Sequence, residues 1–445
     1  MDSKNMNKIS KLSSALVVIL GRTGTGKSQL AIDLARKLDG EVINADAVQL
    51  YKGLDIVTNK VTQEDFKGVV HHMLGELSFT EGKDFNVHRF RNDAWKCIEE
   101  IRSRNRVPII VGGTLYYIEA LLYSDFLNKP KPVKDSSDVS DPNSDDLHAK
   151  LKRQKPELAA KLHPNALRKI RSALSNFKDV NKDSRPIDLA FPNSLILWLE
   201  PSDELIFSAF LNQRVDNMLD KGLVDELDSY LREVAKELGL QAADEELADL
   251  LLHKDELNEE QRRGILQSIG FKEFRPFLRL SKEMRESENG ARVFRDCVQD
   301  MKLSTIRYAK RQRRWVLNRF IRRPEEGSCK IFKLDVTSTI DQVIKKEPFQ
   351  ATWERDILVP CFQVINKNFD CNLPVPDSAS SVPEPVTILS DHAAIIDKAL
   401  PTDMDIQEPP FICTVCNNRH FYDKNSFISH ITSKKHKKRH RSTIS

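Results

Sequence analysis

Short apolar runs alternate with amphipathic stretches along the first 125 residues of the chain. Residues 16–20, 42–45 and 107–111 are apolar and rich in β-branched side chains, so each run predicts a short buried strand. Strands that alternate with helices predict an α/β fold with a doubly wound parallel sheet. After the first run, apolar side chains recur at helical spacing, at Leu30, Ala31, Leu34, Ala35 and Leu38.

The pattern changes several times along the rest of the chain. A helical pattern fills most of the C-terminal half of the core, and a stretch with much Pro and Asp follows it. That stretch carries weak periodicity, which predicts a linker with little fixed structure. The predicted division is a flexible N-terminus over residues 1–14, an α/β core over 15–125 and 193–320, a helical insertion over 126–192, a linker over 321–410 and a small module over 411–440.

Composition excludes some classes of protein and leaves others open. An apolar fraction of 40% is enough for a buried core, and the absence of any apolar run of about 18 residues argues against a membrane span. The net charge of +4 is too small to indicate a nucleic-acid partner by itself. Seven scattered cysteines are typical of a reduced, intracellular protein. We expect a cytoplasmic location, and the lysines near both termini leave mitochondrial and nuclear pools open.

A glycine-rich turn follows the first predicted strand. Residues 21–28, GRTGTGKS, fit the phosphate-binding pattern G-x4-G-K-[ST] between a strand and a helix, which is the context that this P-loop pattern requires. Backbone N–H groups and the helix N-terminus would bind phosphate oxygens. Lys27 would add a full positive charge, and Ser28 would ligate Mg²⁺. The pattern alone leaves open which phosphate compound binds.

Polar side chains follow three predicted strands, at the points where those strands end. The first end supplies Thr23 and Lys27, the second supplies Asp46, and the third supplies Thr114. Ligands bind outside the carboxyl ends of the strands in an open parallel sheet, so we expect these side chains to converge on one site. Taken alone, Asp46 would more often be a helix cap or a Mg²⁺ ligand, and Thr114 a turn residue.

Basic residues crowd one predicted helix in the C-terminal half of the core. They are interleaved with Tyr308 and Trp315, a mixture that suits RNA phosphates and base stacking. A solvated helix face is the alternative interpretation. The basic residues are Lys302, Arg307, Lys310, Arg311, Arg313, Arg314 and Arg319.

The last module carries a metal-ligand pattern. Cys413, Cys416, His430 and His436 have the spacing C-x2-C-x13-H-x5-H, which fits a structural Zn²⁺ site of the Cys2His2 type. Zn²⁺ binding would fold so short a segment. A dense run of Lys and Arg follows the last ligand, and it would serve either as a phosphate contact or as a nuclear import signal.

Seven strings of the chain together resemble the tRNA dimethylallyltransferase family. They follow the family's order and spacing through residues 15–320, and the C-terminal finger is similar to that of eukaryotic members. The strings are GRTGTGKS (21–28), EVINADAVQLYKGLDIVTNK (41–60), VHHM (70–73), PIIVGGTLYY (108–117), RVDNMLDKGLVDE (214–226), IGFKEF (269–274) and STIRYAKRQRRW (304–315).

The resemblance implies transfer of a dimethylallyl group from dimethylallyl diphosphate to the N6 amine of adenosine 37 in tRNA, giving N6-isopentenyladenosine. It implies Asp46 as the general base, with Thr23, Thr114 and Arg214 as further catalytic residues. It implies a monomer that uses Mg²⁺ and a structural Zn²⁺. The diphosphate would lie on Gly21, Arg22, Thr23, Gly24, Thr25, Gly26, Lys27 and Ser28. The tRNA would contact Asp46, Ala47, Val48, Gln49, Thr114, Arg307, Lys310 and Arg311.

Three positions depart from the family pattern. Ala47 stands where Ser is usual, Ala166 where Asp is usual, and Ser172 where Arg is common. They bear on the detail of tRNA contact and leave the implied catalytic residues intact. The alternative functions are a small-molecule P-loop kinase, an isopentenyltransferase for free adenine nucleotides, and an RNA-binding protein with an inactive catalytic domain. The kinase offers no role for the finger and the basic helix. The finger and the long helical region argue against the nucleotide-modifying enzyme, and the intact catalytic set argues against the third alternative.

Overall fold

In the computed structural model, the chain forms two compact units. One unit comprises residues 1–127 and 186–393, and the other comprises residues 128–185 and 394–445. The structure describes residues 14–123, 144–154, 189–239, 264–323, 329–375, 383–386, 411–413 and 419–421, together with residues 156, 159, 170, 174 and 430.

A six-stranded parallel sheet is the centre of the first unit. Its strands are β1 Leu16–Gly21, β2 Gly40–Asn44, β3 His71–His72, β4 Val107–Val111, β5 Ser194–Leu199 and β6 Lys330–Leu334. Their spatial order is β3-β2-β4-β1-β5-β6, so β1 lies between β4 and β5. Val17 of β1 pairs in parallel register with Ile109 on one side and Leu195 on the other. The glycine-rich turn therefore leaves the sheet near its middle.

Helices connect the strands and cover the sheet. They are α1 Lys27–Leu38, α2 Val87–Ser103, α3 Leu115–Leu122, α4 Ser144–Gln154, α5 Glu204–Asp220, α6 Leu223–Glu237, α7 Phe271–Leu278, α8 Lys282–Glu286, α9 Glu288–Trp315, α10 Thr337–Lys345, α11 Gln350–Trp353 and α12 Val359–Phe369. A π-helical stretch, Val316–Ile321, continues α9. All of these except α4 belong to the first unit.

Side-chain caps fix where two of the connecting helices begin. Asn86 Oδ1 accepts hydrogen bonds from the first turn of α2. Asp203 Oδ1 accepts from Leu205 N at 2.7 Å and Ile206 N at 2.9 Å at the start of α5. Each cap satisfies N–H groups that have no partner within the helix. Gly222, with a φ of 89°, lies between α5 and α6 and is the N-cap residue of α6.

Alternate residues of β1 point to opposite faces of the sheet, and helices cover both faces. Val17 and Ile19 belong to a buried cluster that includes Leu30 and Leu34 of α1. Leu16, Val18 and Leu20 belong to a second cluster, which includes side chains of α2, α3, α6, α7 and α9. This arrangement confirms the predicted α/β fold with a doubly wound parallel sheet.

The prediction of a linker over residues 321–410 is wrong for the part that the structure describes. β6 adds to β5 in parallel register, and α10, α11 and α12 follow it. Trp353, Ile357, Cys361 and Ile365 recur every fourth residue and are buried against the sheet face that α1 covers. These four residues form an apolar stripe with a regular helical period, which is visible in the sequence. The Pro and Asp content of the surrounding residues favours a linker and obscures this period.

Little of the second unit is described. α4 lies within the predicted helical insertion, and its Leu151 is buried with Ala159 and Ile170. In the C-terminal module, β7 Phe411–Cys413 pairs antiparallel with β8 Arg419–Phe421. Among the described residues, no helix is long and apolar enough to cross a membrane.

Two truncations test the corrected boundary. A chain that ends at residue 323 loses Phe332, Trp353 and Ile357, all of which are buried. Each such side chain contributes about 1.5–3 kcal/mol, against a total stability of about 5–15 kcal/mol for a domain. We therefore expect this chain to be unfolded or insoluble by circular dichroism and thermal denaturation.

A chain that ends at residue 386 is the control, because it keeps β6 and the three helices. We expect it to unfold cooperatively. A folded, soluble chain ending at residue 323 would restore the interpretation of this segment as a linker.

Candidate active site

The glycine-rich turn between β1 and α1 forms a closed loop. Gly24 and Gly26 both have a φ of 84°, a backbone conformation that favours glycine. Thr25 Oγ1 donates to the carbonyl oxygen of Arg22 at 2.8 Å, and Lys27 Nζ donates to the same oxygen at 2.6 Å. The loop is therefore held in shape by its own side chains.

The side chain of Arg22 points away from the cavity side of the loop. It is 1% exposed and forms ion pairs with Glu200 at 2.9 Å and Glu204 at 2.8 Å. Its guanidinium carbon lies 4.2 Å from the ring centroid of Phe207. Arg22, predicted as a diphosphate ligand, can therefore contribute only through its main chain.

Two cavities adjoin at the carboxyl ends of β1, β2 and β4. The first, of about 240 Å³, is polar; besides the loop, Asn44, Gln49 and Gln312 line it. The second, of about 250 Å³, has an apolar wall formed by Val57, Val215, Met218, Ile269 and Met301. Both cavities are lined by Thr23, Asp46, Thr58 and Arg214.

Asp46 lies at the junction of the two cavities, just after β2. Its Oδ1 accepts a hydrogen bond from Val48 N at 3.2 Å. A Cβ atom at Gly113 would lie 2.7 Å from Asp46 Oδ2, so glycine is needed there to leave room for the carboxylate. Burial raises the pKa of Asp46, while the Val48 amide and the charges of Lys27 and Arg214 oppose that rise.

Thr114 holds the backbone beside Asp46. Its Oγ1 accepts from Ala47 N at 2.9 Å, and its own N–H donates to Ala45 O at 3.2 Å. The predicted convergence of the three strand ends is thus observed for Thr23, Lys27, Asp46 and Thr114.

Two cations face Asp46 across the polar cavity. Burial lowers the pKa of Lys27 to about 8, with the charge of Asp46 opposing and that of Arg214 adding to the effect. Burial lowers the pKa of Arg214 to about 10, again opposed by Asp46. Both side chains are partly exposed, and the space to which they are exposed is the cavity itself. They are cations of an enclosed site that attracts anions.

Arg214 reaches this position from the middle of α5. The apolar side of α5 is buried through Leu211, Val215 and Met218. A Cβ atom at Gly24 would lie 3.6 Å from Arg214 Nη1, so the guanidinium lies against the glycine-rich loop. Arg214 is therefore a half-buried residue that lines both cavities and not a solvent-exposed helical residue.

Gln312 and Tyr308 of α9 contribute to the site; sequence reasoning missed Gln312 and assigned Tyr308 only to base stacking. Gln312 Oε1 accepts from Thr23 N at 2.8 Å, and Gln312 Nε2 donates to Gly113 O at 2.9 Å. Tyr308 Oη donates to the same carbonyl at 3.1 Å. Gln312 therefore joins the P-loop to the turn after β4. Its spacing four residues after Tyr308 was the available signal, hidden among basic residues.

The basic residues from Lys302 to Arg319, on α9 and its π-helical continuation, fall into two groups. Lys302, Arg313 and Arg319 form ion pairs with Asp216, Glu200 and Glu119, so they also have structural roles. The others have exposed side chains, and Arg311 also lines the apolar cavity. The exposed group is Arg307, Lys310, Arg311 and Arg314. It includes the three residues of α9 predicted to contact tRNA.

The segment of residues 54–60 closes one side of both cavities. Gln49 Nε2 donates to Thr58 O at 2.9 Å, so this predicted adenine contact is also tied to the segment. Glu226 of α6 accepts from Ile56 N at 2.7 Å and Val57 N at 2.9 Å. Val48 lines the apolar cavity beside Val57.

The predicted zinc ligands are only partly described. Cys413 ends β7, opposite Arg419 of β8, and residue 430 is helical. Cys416 and His436 lie outside the described residues, as do Ala166 and Ser172.

Comparison with known proteins gives consistent matches along the chain. Residues 49–319 match the sequence model of the family "IPP transferase", and residues 410–437 match that of "Zinc-finger double-stranded RNA-binding". The chain is 35% identical to the tRNA dimethylallyltransferase of Mus musculus, over 79% of this chain and 73% of the mouse protein. It is 30% identical to the tRNA dimethylallyltransferase of Schizosaccharomyces pombe, over 95% of this chain and 94% of that protein.

One solved structure is similar over nearly its whole length. It is described as a eukaryotic dimethylallyltransferase acting on tRNA, with a TM-score of 0.65 and 25% sequence identity. The match covers 97% of each chain. The similarity therefore extends to the segment after residue 320, which the match to the "IPP transferase" model does not reach.

Gln312→Met tests the bridge between the P-loop and the turn after β4. The substitution keeps the side chain's length and removes both of its hydrogen bonds, which leaves the Thr23 amide without its partner. Since an unsatisfied buried polar group costs about 1–3 kcal/mol, we expect the free energy of unfolding to fall by that amount in urea denaturation.

Tyr308→Phe is the matched control, because the Gly113 carbonyl keeps its bond from Gln312. We expect a smaller loss, of about 0.5–1.5 kcal/mol. If Tyr308→Phe proved the more damaging of the two, Gln312 would not be the main link.

Proposed function

The chain belongs to the IPP transferase family, and from this premise we propose that it transfers a dimethylallyl group from dimethylallyl diphosphate to the N6 amine of adenosine 37 in tRNA. The product is N6-isopentenyladenosine. The observation that carries this proposal is the pair of adjoining cavities, one polar and cationic and one apolar, with Asp46 at their junction. A diphosphate ester of a short isoprenoid has the same two halves.

The polar cavity suits the diphosphate group. The P-loop amides, Lys27 and Arg214 supply hydrogen bonds and positive charge on one side of it. When the bond between the allyl carbon and the diphosphate oxygen breaks, the electron pair leaves with the oxygen. Preorganised cations stabilise that developing negative charge, which is commonly the largest catalytic contribution of such a site.

The apolar cavity suits the dimethylallyl group and the approaching base. Val57, Val215, Met218 and Met301 exclude water from the carbon that becomes cationic. The N6 nitrogen supplies the electron pair for the new carbon–nitrogen bond, and Asp46 takes the proton that the nitrogen loses. Because burial raises the pKa of Asp46, its carboxylate is a stronger base than an exposed aspartate.

Ser28 is the side chain proposed to hold Mg²⁺. It lines the polar cavity in the first turn of α1, beside Lys27. Its hydroxyl is an oxygen donor of the kind that Mg²⁺ prefers, and diphosphate oxygens and water would supply the other ligands. Bound Mg²⁺ would supply further charge to stabilise the leaving diphosphate.

The tRNA is proposed to bind over the exposed basic side of α9. Arg307, Lys310 and Arg311 would contact phosphates, with Arg311 next to the apolar cavity. A stacked base must be flipped out to reach such an enclosed site. The match of residues 410–437 to a zinc-finger model supports a structural Zn²⁺ on Cys413, Cys416, His430 and His436. We propose that this finger adds contacts to the tRNA.

Transfer of radiolabel from dimethylallyl diphosphate tests the proposal. The purified full-length chain with Mg²⁺ is offered a tRNA with adenosine at position 37, the same tRNA with guanosine there, or free AMP. We expect label only on the first. Label on AMP would favour the nucleotide-modifying alternative, and label on none of the three would contradict a transferase.

Asp46→Asn tests the general base. The amide keeps the size of the side chain and cannot accept the amine proton, so we expect kcat to fall by about 10²–10⁴. The parent needs Asp46 deprotonated, so its kcat should fall as pH falls through a pKa above the ordinary value of about 3.9. That acidic limb should be absent in the variant.

Asp93→Asn on α2 is the matched control, because Asp93 pairs with Arg89 of the same helix and lines neither cavity. It should keep the parent kcat and pH profile. Binding of dimethylallyl diphosphate, measured by calorimetry, should persist in Asp46→Asn. Full turnover by Asp46→Asn would exclude Asp46 as the base.

A further inference from the structure

Trp353 packs against the P-loop from the far end of the chain. It is the last residue of α11 and is 3% exposed. Its neighbours in the buried cluster include Leu30 and Leu34 of α1 and Ile357. The segment that carries it lies beyond residues 49–319, the range matched by the family's sequence model.

The tip of the indole contacts Gly26. A Cβ atom at Gly26 would lie 2.9 Å from Cη2 and 3.0 Å from Cζ3 of Trp353, so the ring occupies the space that a side chain would need. Gly26 directly precedes Lys27 and Ser28, and it is the N-cap residue of α1. The ring therefore buttresses the P-loop at the point where its backbone turns into the helix.

The indole nitrogen begins a hydrogen-bond chain that reaches the polar cavity. Trp353 Nε1 donates to Asp33 Oδ2 at 3.0 Å. Asp33 Oδ1 accepts from Gln29 Nε2 at 2.9 Å, and Gln29 lines the polar cavity with Lys27 and Ser28. Since Asp33 and Gln29 are one helical turn apart on α1, the chain fixes the rotamer of Gln29.

We propose that Trp353 is a positioning residue for the diphosphate. Its ring fixes the Gly26 backbone, and its N–H, through Asp33, orients the Gln29 amide toward the phosphate oxygens. The inference rests on the proposed function in placing the diphosphate in the polar cavity. A phenylalanine would keep the ring contact and lose the N–H donor, which separates the two contributions.

Binding of inorganic pyrophosphate, with Mg²⁺, to the full-length chain measures the effect directly by calorimetry. Since a hydrogen bond contributes a factor of about 2–12 in an equilibrium constant, we expect Trp353→Phe to raise the Kd about threefold to tenfold. Trp95→Phe is the matched control, because Trp95 packs on Phe191 and lines neither cavity. It should leave the Kd unchanged.

A double substitution tests the route through Asp33. Gln29→Met should raise the Kd for pyrophosphate by itself. If Trp353 acts through Gln29, Trp353→Phe should add little in the Gln29→Met background, because coupled residues are not additive. Fully additive effects would overturn the proposed chain of hydrogen bonds.

Steady-state kinetics distinguish positioning from a general loss of stability. In Trp353→Phe, KM for dimethylallyl diphosphate should rise with the Kd, while KM for tRNA stays at the parent value. A parent-like Kd and KM in Trp353→Phe would overturn the inference and leave the proposed function intact. Absence of pyrophosphate binding and of transfer in the parent would overturn both.

Discussion

A carboxylate placed between two enclosed cations is the interaction on which the site depends. Burial by itself disfavours the charged forms of Asp46, Lys27 and Arg214 alike. Asp46 offsets part of this penalty for both cations, and each cation offsets part of it for Asp46, while the two cations disfavour each other. The cations outnumber the carboxylate, which leaves a net positive charge for an anionic ligand. The negative charge of a diphosphate would neutralise this excess positive charge.

Buried carboxylates outside the cavities hold the elements that carry this triad. Glu200, at the end of β5, accepts from Arg313 of α9 and pairs with Arg22 of the P-loop. Glu119 of α3 accepts from Trp315 and from Arg319 and Arg323, which follow the end of α9. Since a buried ion pair is costly to break, these contacts fix α9 against the sheet. Gln312 can then bridge two turns with bonds of normal length.

Local patterns were sufficient to predict β1, β2 and β4, the three strands whose carboxyl ends adjoin the cavities. A strand, a glycine turn and a helix in succession identify the P-loop, and topology brings Asp46 and Thr114 to it. The same reasoning was unable to separate Arg22 from Lys27, because both belong to the motif. Only the distant Glu200 and Glu204 show that the Arg22 side chain turns away. The prediction of Arg214 at the site followed from the family resemblance, because no local motif links an arginine within a helix to the P-loop.

Long-range contacts account for what sequence reasoning missed. Gln312 lies 289 residues from Thr23 along the chain, and Trp353 lies 320 residues from Asp33. No local spacing relates such partners, and a basic helix that contains a glutamine has the composition of a solvated face. The helical period of the stripe that begins at Trp353 is visible in the sequence, but its contact with the P-loop is not. Its partner there is Gly26. A glycine allows another group to approach the backbone closely, but the sequence does not identify that group.

The helix α9 combines two tasks because its faces differ. One face carries Thr305, Tyr308 and Gln312 toward the cavities and the P-loop, while Arg307 and Lys310 are exposed. A ligand bound to the exposed side would therefore rest on the same rigid element that joins the P-loop to the turn after β4. Rigid support of this kind keeps catalytic groups in place without requiring a separate conformational change. If the proposed function is correct, the RNA and the diphosphate would share this scaffold, which ion pairs of α9 and of its π-helical continuation fix to the neighbouring elements.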